Sequence, residues 1–129
     1  MTDFEKVKLI YNQKDEWDRF DTPGGKLEFE LTMAIITSHL PKKAELLDLG
    51  GGPGRYTIEL AKLGHSLHLA ELTQRNLDTA KKKIAEYGID NVKSIYWIFI
   101  LSYIKQIFVG FCQRYFKFNL LRVFIWLQM

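Results

Sequence analysis

The chain reads as an α/β protein built on a parallel sheet, and three observations predict this. A short apolar run, "AELLDL" (44–49), stops abruptly at the glycines of "GGGPG" (50–54), as a buried strand does before a tight loop. An amphipathic stretch follows, then the alternating run "HSLHLA" (65–70), then a second amphipathic stretch, so strand and helix signals alternate. At 129 residues the chain holds one domain at most, has no repeat at a fixed period, and is long enough to bury a real core.

Taken in order, residues 4–20 mix apolar and charged positions and read as a polar-faced helix. "DTPGG" (21–25) reads as a break, because Pro23 fixes φ and two glycines follow. In "KLEFELTMAIITSHL" (26–40), Leu27, Phe29, Leu31, Met33 and Ile35 alternate like a strand. Phe29, Met33, Ile36 and Leu40 also keep helical spacing, and length and composition favour a helix ending before Pro41. After the 44–49 strand, a helix is expected from Pro53 or Gly54 to Leu63, closed by Gly64. A strand over 65–70 precedes a helix with Thr73 as its N-cap, whose apolar face is Leu77, Ala80, Ile84 and Tyr87 and which Gly88 ends. "NVKSI" (91–95) can begin a third strand.

Charge is unevenly placed. All fifteen acids lie at or before Asp90, so the first ninety residues carry 13 Lys/Arg against 15 Asp/Glu, whereas the last thirty-nine carry five bases and no acid. The total of +3 therefore sums a slightly acidic domain and a basic, aromatic tail, and argues for no nucleic-acid partner by itself. A single cysteine, Cys112, excludes an internal disulfide framework and favours a reducing, cytoplasmic setting. The first residues have early acids and no apolar core of a secretory signal. Residues 95–112 approach membrane-spanning length but include Ser102, Lys105 and Gln106, so membrane contact by the tail is not favoured.

Three glycine-loop chemistries compete for residues 48–55. A phosphate-cradling P-loop needs a Lys and a hydroxyl after its last glycine, and no such string is present; "GGK" (24–26) is a turn signal. A dinucleotide loop needs a third glycine where Arg55 stands. The third pattern fits: Asp48, Gly50, Gly52 and Gly54 spell D-x-G-x-G-x-G between strand and helix. Glycines let backbone run flush against a ligand, and an acid at Asp48 suits a cationic amine better than a pyrophosphate. Glu71 stands at the end of the next strand, seventeen positions after Gly54, where a carboxylate can accept both hydroxyls of a ribose. Helix capping near Thr73 is the plainer role for the same acid.

With "LLDLGGGPGRYTIELAKLGH" (46–65) and "YNQKDEWDRFDTPGGKLEFELTMAII" (11–36), residues 8 to about 93 resemble the N-terminal part of the class I S-adenosylmethionine-dependent methyltransferases. The resemblance implies a Rossmann-like parallel sheet, incomplete here, with an N-terminal helical cap over 1–43 and a cofactor-binding half over 44–94. It implies S-adenosylmethionine as cofactor, contacted by Asp48, Gly50, Gly51, Gly52, Gly54 and Glu71, with Leu72 against the adenine and Tyr11 closing from the cap. It further implies methyl transfer to an acceptor expected to be a small molecule, with no nucleic acid.

Other residues have plainer readings. Arg55 reads as a first-turn surface residue, Lys81 to Lys83 as a solvated helix face, and core packing suits Tyr11 equally well. His39, His65 and His68 lack metal-ligand spacing, so no metal is expected, and no residue is assigned as catalytic. The tail, 95–129, matches nothing in the family: it has no acid for an adenine amino group and too few residues for the remaining strands. A truncated or frame-shifted product is the preferred explanation, ahead of a membrane-anchoring helix and of a tail that completes the core. The rivals to a methyltransferase are a non-catalytic, nucleoside-binding or membrane-tethered fragment, and a dinucleotide oxidoreductase, which Arg55 disfavours.

Overall fold

The computed structural model describes residues 1–2, 5–6, 9–10, 13, 16–97 and 121–125. Its centre is a run of strands and crossover helices: β1 (Glu45–Leu49), α2 (Arg55–Lys62), β2 (Ser66–Glu71), α3 (Gln74–Glu86) and β3 (Val92–Trp97). Ahead of it stand a single 3₁₀ turn (Trp17–Asp21) and α1 (Pro23–Ser38). A further strand, β4 (Leu121–Ile125), pairs with the other edge of β1, giving an all-parallel sheet of order β3-β2-β1-β4. The order reverses direction at β1, and in such sheets ligands bind in the crevice beyond the carboxyl ends of the strands at that point.

The parallel-sheet prediction holds, and its physical basis is visible in the register. Leu46 pairs opposite Leu67 and Asp48 opposite Leu69, all four buried on one face. Tyr56, Leu60 and Ala61 of α2 cover that face, while Ile36 and Phe29 of α1 and Phe20 of the 3₁₀ turn close the core around them. Phe20, Phe29 and Tyr56 form an aromatic triplet with ring centroids 4.7–5.5 Å apart, which fixes the cap to the start of α2. At the far end of the strands, Asn91 donates 2.7 Å hydrogen bonds to the carbonyls of Ala61 and His65, tying the ends of α2 and β2 to the third strand.

Three local expectations change. The break in "DTPGG" is confined to the extended Thr22, between the 3₁₀ turn and α1: Thr22 accepts a hydrogen bond from the Gly25 N–H as N-cap, and Pro23 takes the first helical position, where a missing N–H costs nothing. Gly25 is glycine because a Cβ there would collide with the Arg19 carbonyl. Where a polar-faced helix over 4–20 is expected, residues 17–21 form the 3₁₀ turn, and residues 5–6, 9–10 and 13 are helical. Tyr87, expected on the buried face of α3, is half exposed and stacks on Trp17 with centroids 6.4 Å apart. His65, by contrast, is buried and accepts the Ala44 N–H on Nδ1. Among the described residues no helix is long and apolar enough to cross a membrane; most of the 95–112 segment, and Tyr11, lie outside them.

Candidate cofactor site

The site sits where β1 and β2 end side by side. The chain leaves β1 through Gly50, Gly52 and Gly54, at φ of +73°, +57° and +85°, a left-handed path that a Cβ would strain at each step. Gly50 donates to the Ala70 carbonyl at 2.7 Å, and Gly54 to the Gly51 carbonyl at 3.0 Å, so the loop is pinned to β2 and to itself. Gly54 is also the point of close approach: a Cβ there would lie 3.4 Å from Ala80 Cβ and 3.5 Å from Leu69. The tight helix–strand contact of this loop therefore falls one residue before Arg55, and the side chain at 55 is free of it.

Asp48 is buried and its Oδ2 accepts the Thr57 hydroxyl at 2.7 Å, with the Thr57 backbone N–H also bonded to the carboxylate. Gly54 offers α2 no side-chain cap, so Asp48, reaching up from the strand, takes over the neutralising of an otherwise orphaned helix N–H. Burial pushes its carboxyl above the usual range, with the Thr57 bonds opposing and the charge of Glu71 adding to the rise. Glu71 is buried as well, and its Oε2 accepts the Gly52 N–H at 3.0 Å. Its Oε1 accepts the Thr73 N–H at 2.9 Å, the Thr73 hydroxyl at 3.0 Å and Asn76 Nδ2 at 3.2 Å. Asp48, beside the loop, disfavours a pyrophosphate and suits a cationic group, whereas an acid in the place of Glu71 suits the ribose hydroxyls of a dinucleotide and of an adenosyl ligand alike. This donor set fits S-adenosylmethionine, which carries an ammonium, a sulfonium and a ribose. Leu72, half-buried, follows directly beyond β2.

The structure thus brings together Asp48, the loop glycines and Glu71, with Leu72 at their edge, while Tyr11 lies outside the described residues. Sequence reading missed Arg55. Its guanidinium donates to the Trp17 carbonyl at 2.9 Å and to Asp21 Oδ1 at 3.3 Å, and lies 4.9 Å from the Trp17 ring centre. It clamps the 3₁₀ turn onto the first turn of α2, lining the cleft beside Asp48 and the loop rather than pointing into water. Arg55→Ala is expected to cost about 1–2 kcal/mol in chemical denaturation through the lost hydrogen bonds and stacking. Arg55→Lys should recover less than half, because an ammonium cannot fork to two acceptors while stacking on the ring. Among the described residues no group of three or more His, Cys, Asp or Glu can hold a metal.

No family model matches the chain. Two curated relatives, the tRNA 5-carboxymethoxyuridine methyltransferases of Escherichia coli K12 and O157:H7, share 37% identity over 81 residues. The match takes in 56% of this chain, which spans 31% of the relatives' length. Among solved structures, one from work on conversion of a disulfide bond into a thioacetal group during echinomycin biosynthesis has TM-score 0.52 and 19% identity. It matches 75% of this chain and 40% of its own, which supports the fold. A SAM-dependent methyltransferase of Methanosarcina mazei aligns at TM-score 0.43 and 25% identity, over 51% of this chain and 32% of its own.

The expectation of a small-molecule acceptor and no nucleic-acid partner does not stand against curated relatives that are named for tRNA. That expectation came from the resemblance alone, and a glycine loop with its acids reads the cofactor side of a site and not its acceptor. In its parallel sheet, and in its glycine loop with Asp48 and Glu71, the chain is similar over part of its length to S-adenosylmethionine-dependent methyltransferases, and it spans about a third of the length of the curated relatives it matches.

Proposed function

We propose that this chain binds S-adenosylmethionine between the 50–54 loop and Glu71, and that it serves methyl transfer to a nucleoside of RNA. The observation that carries the cofactor reading is the pair of buried acids at the ends of β1 and β2, with Glu71 accepting the Gly52 N–H and Asp48 the Thr57 hydroxyl. Asp48 is assigned to the amino end of the cofactor, Gly50, Gly51, Gly52 and Gly54 to close backbone approach, Glu71 to the ribose, Leu72 to the adenine face and Tyr11 to closure from the cap. Residues 1–43 are assigned as the cap and 44–94 as the cofactor half, to whose sheet the later residues add the end of β3 and the edge strand β4. When bound, the cofactor supplies a methyl group on a cationic sulfur, open to in-line displacement. The protein's part is to fix the cofactor's orientation and to offset its positive charge with Asp48 and Glu71.

The RNA acceptor rests on the tRNA relatives alone. A cytoplasmic setting agrees with an RNA substrate and with the single Cys112. Titration calorimetry with S-adenosylmethionine, S-adenosylhomocysteine and NAD tests the cofactor, with both adenosyl ligands expected to bind and NAD expected not to. Binding of NAD alone would overturn the assignment. Incubation with tRNA and methyl-labelled cofactor tests the acceptor, label in nucleosides being the expected result.

A further inference from the structure

The 3₁₀ turn is held at its two ends by different chemistry. At the inner end Phe20 is buried against Phe29 and Tyr56, with ring centroids 5.0 and 5.5 Å away, and its neighbour Arg19 pairs with Glu28 of α1 at 2.8 Å. At the outer end Trp17 is only half-buried. Its ring stacks on the half-exposed Tyr87 at an interplanar angle of 28°, and the Arg55 guanidinium and the Lys83 ammonium lie 4.9 and 5.0 Å from its centre.

This stack rests on the outer side of α2. Arg55, Glu59 and Lys62 recur at i, i+4 and i+7, which makes them one stripe of that helix. Trp17 covers Arg55 at one end of the stripe. Tyr87, from the end of α3, covers Lys62 at the other: the Lys62 ammonium is 4.3 Å from the Tyr87 ring centre and 2.7 Å from Glu59. Two aromatic rings from distant parts of the chain thus meet over a charged helix face rather than an apolar one. Cation–aromatic contacts at partly exposed places are weak one by one, whereas lifting Phe20 would empty part of the core.

The same turn walls the cleft beside the glycine loop. Glu16, Arg19 and Phe20 line it on one side, with Asp48 and the loop on the other. Arg55 spans both ends of the turn, donating to the Trp17 carbonyl at 2.9 Å and to Asp21 at 3.3 Å, so it can keep the second partner when the first leaves.

We infer that residues 16–18 are a releasable strap that gates ligand exchange: the turn swings about Phe20, Trp17 leaves its stack on Tyr87, Lys83 and Arg55, and the cleft beside the 50–54 loop opens. Tyr87 is not among the residues lining that cleft, so it acts as a positioning residue, through Trp17. The strapped and released forms are two states, and the stack sets their balance without touching the ligand. Loosening it shifts that balance equally with and without ligand, so entry and exit quicken together while affinity holds. The gate rests on the proposed seating of the cofactor in this cleft.

Stopped-flow binding of S-adenosylhomocysteine to the full chain compares the wild type with Tyr87→Ala. Association and dissociation rate constants should both rise about tenfold in the variant, the loss of one aromatic stack, with Kd held within about twofold. Tyr87→Phe keeps the stack and should match the wild type. Digestion by a glutamyl-specific protease reads the strap without ligand. Cleavage after Glu16 should quicken about tenfold in Tyr87→Ala, while Glu28 and Glu30 of α1 stay uncut.

Cutting at all three sites at matched rates would mean global loosening and would overturn the inference. Unchanged rate constants would do the same, as would a weaker Kd at an unchanged association rate, the mark of a merely structural Tyr87. If the wild type binds no adenosyl ligand, the cofactor reading and the gate fall together, whereas quickened cleavage confined to Glu16 still establishes the strap.

Discussion

Gly51→Ala is expected to lower the unfolding free energy by about 3 kcal/mol, the upper range for an overpacked interior. Gly51 is the one glycine of the 50–54 loop whose φ is not positive, so backbone strain plays no part. A Cβ at this position would lie 2.5 Å from Asp48 Cγ, from Asp48 Oδ2 and from Leu69 Cδ1. Neither neighbour can retreat: Asp48 is bonded to Thr57, and Leu69 is wholly buried beneath the loop. Gly64→Ala is the control, with φ of +92° and open space around its Cβ, and should cost about 1 kcal/mol from conformation alone. Urea titrations of the two variants separate crowding from strain, and near-equal losses would show that the loop yields.

Asp48→Asn is expected to stabilise the fold and to weaken the cofactor. Because burial raises the Asp48 carboxyl above its ordinary value of 3.8, the folded state prefers the proton more than the unfolded chain does. The contribution of this group to stability is therefore complete below the unfolded value and declines as pH rises through the folded one. An asparagine removes the buried charge, keeps one oxygen to accept from Thr57, and carries no such decline. At pH 7–8 the variant should gain on the order of 1 kcal/mol, a rise of roughly 4 °C in a chain of 129 residues. The advantage should close as pH approaches 4. On the proposed assignment of Asp48 to the amino end of the cofactor, S-adenosylhomocysteine affinity should fall about tenfold at neutral pH, the loss of one charged contact. Thermal scans from pH 4 to 8, paired with titration calorimetry, check both signs. A variant less stable than wild type at pH 8 would mean that the acid's hydrogen bonds outweigh its desolvation.

The elements from β1 to β3 were legible because each is announced locally. The strands are short apolar or alternating runs, and Gly64 and Gly88 close their helices in the left-handed conformation expected of them. α1 was harder to read because it is apolar on two sides. Phe29, Met33 and Ile36 face the core, and Leu27, Leu31 and Ile35 are exposed, which is why strand and helix periods both fitted. Asp48, the glycines and Glu71 could be singled out from spacing, but not what they bond. The Thr57 hydroxyl that holds Asp48 is nine residues away, and Arg55 finds its acceptors 34 and 38 residues earlier. Such pairings are products of packing and leave no periodic trace. Glu71 illustrates the limit best: its partners Gly52, Thr73 and Asn76 come from the loop and from the start of α3, and no spacing announces them.

The sheet register also sets an order of assembly. β1 meets β2 by closing a span of 21 positions, Glu45 to Ser66, whereas its pairing with β4 joins Glu45 to Leu121. Closure entropy grows as the logarithm of the span, so the second pairing costs about 1 kcal/mol more before it gains anything. Asp48 and Glu71 are brought side by side by the shorter closure alone. Collapse of the nascent chain through its third strand is thus enough to juxtapose the two acids, whatever the slower edge strand does afterwards.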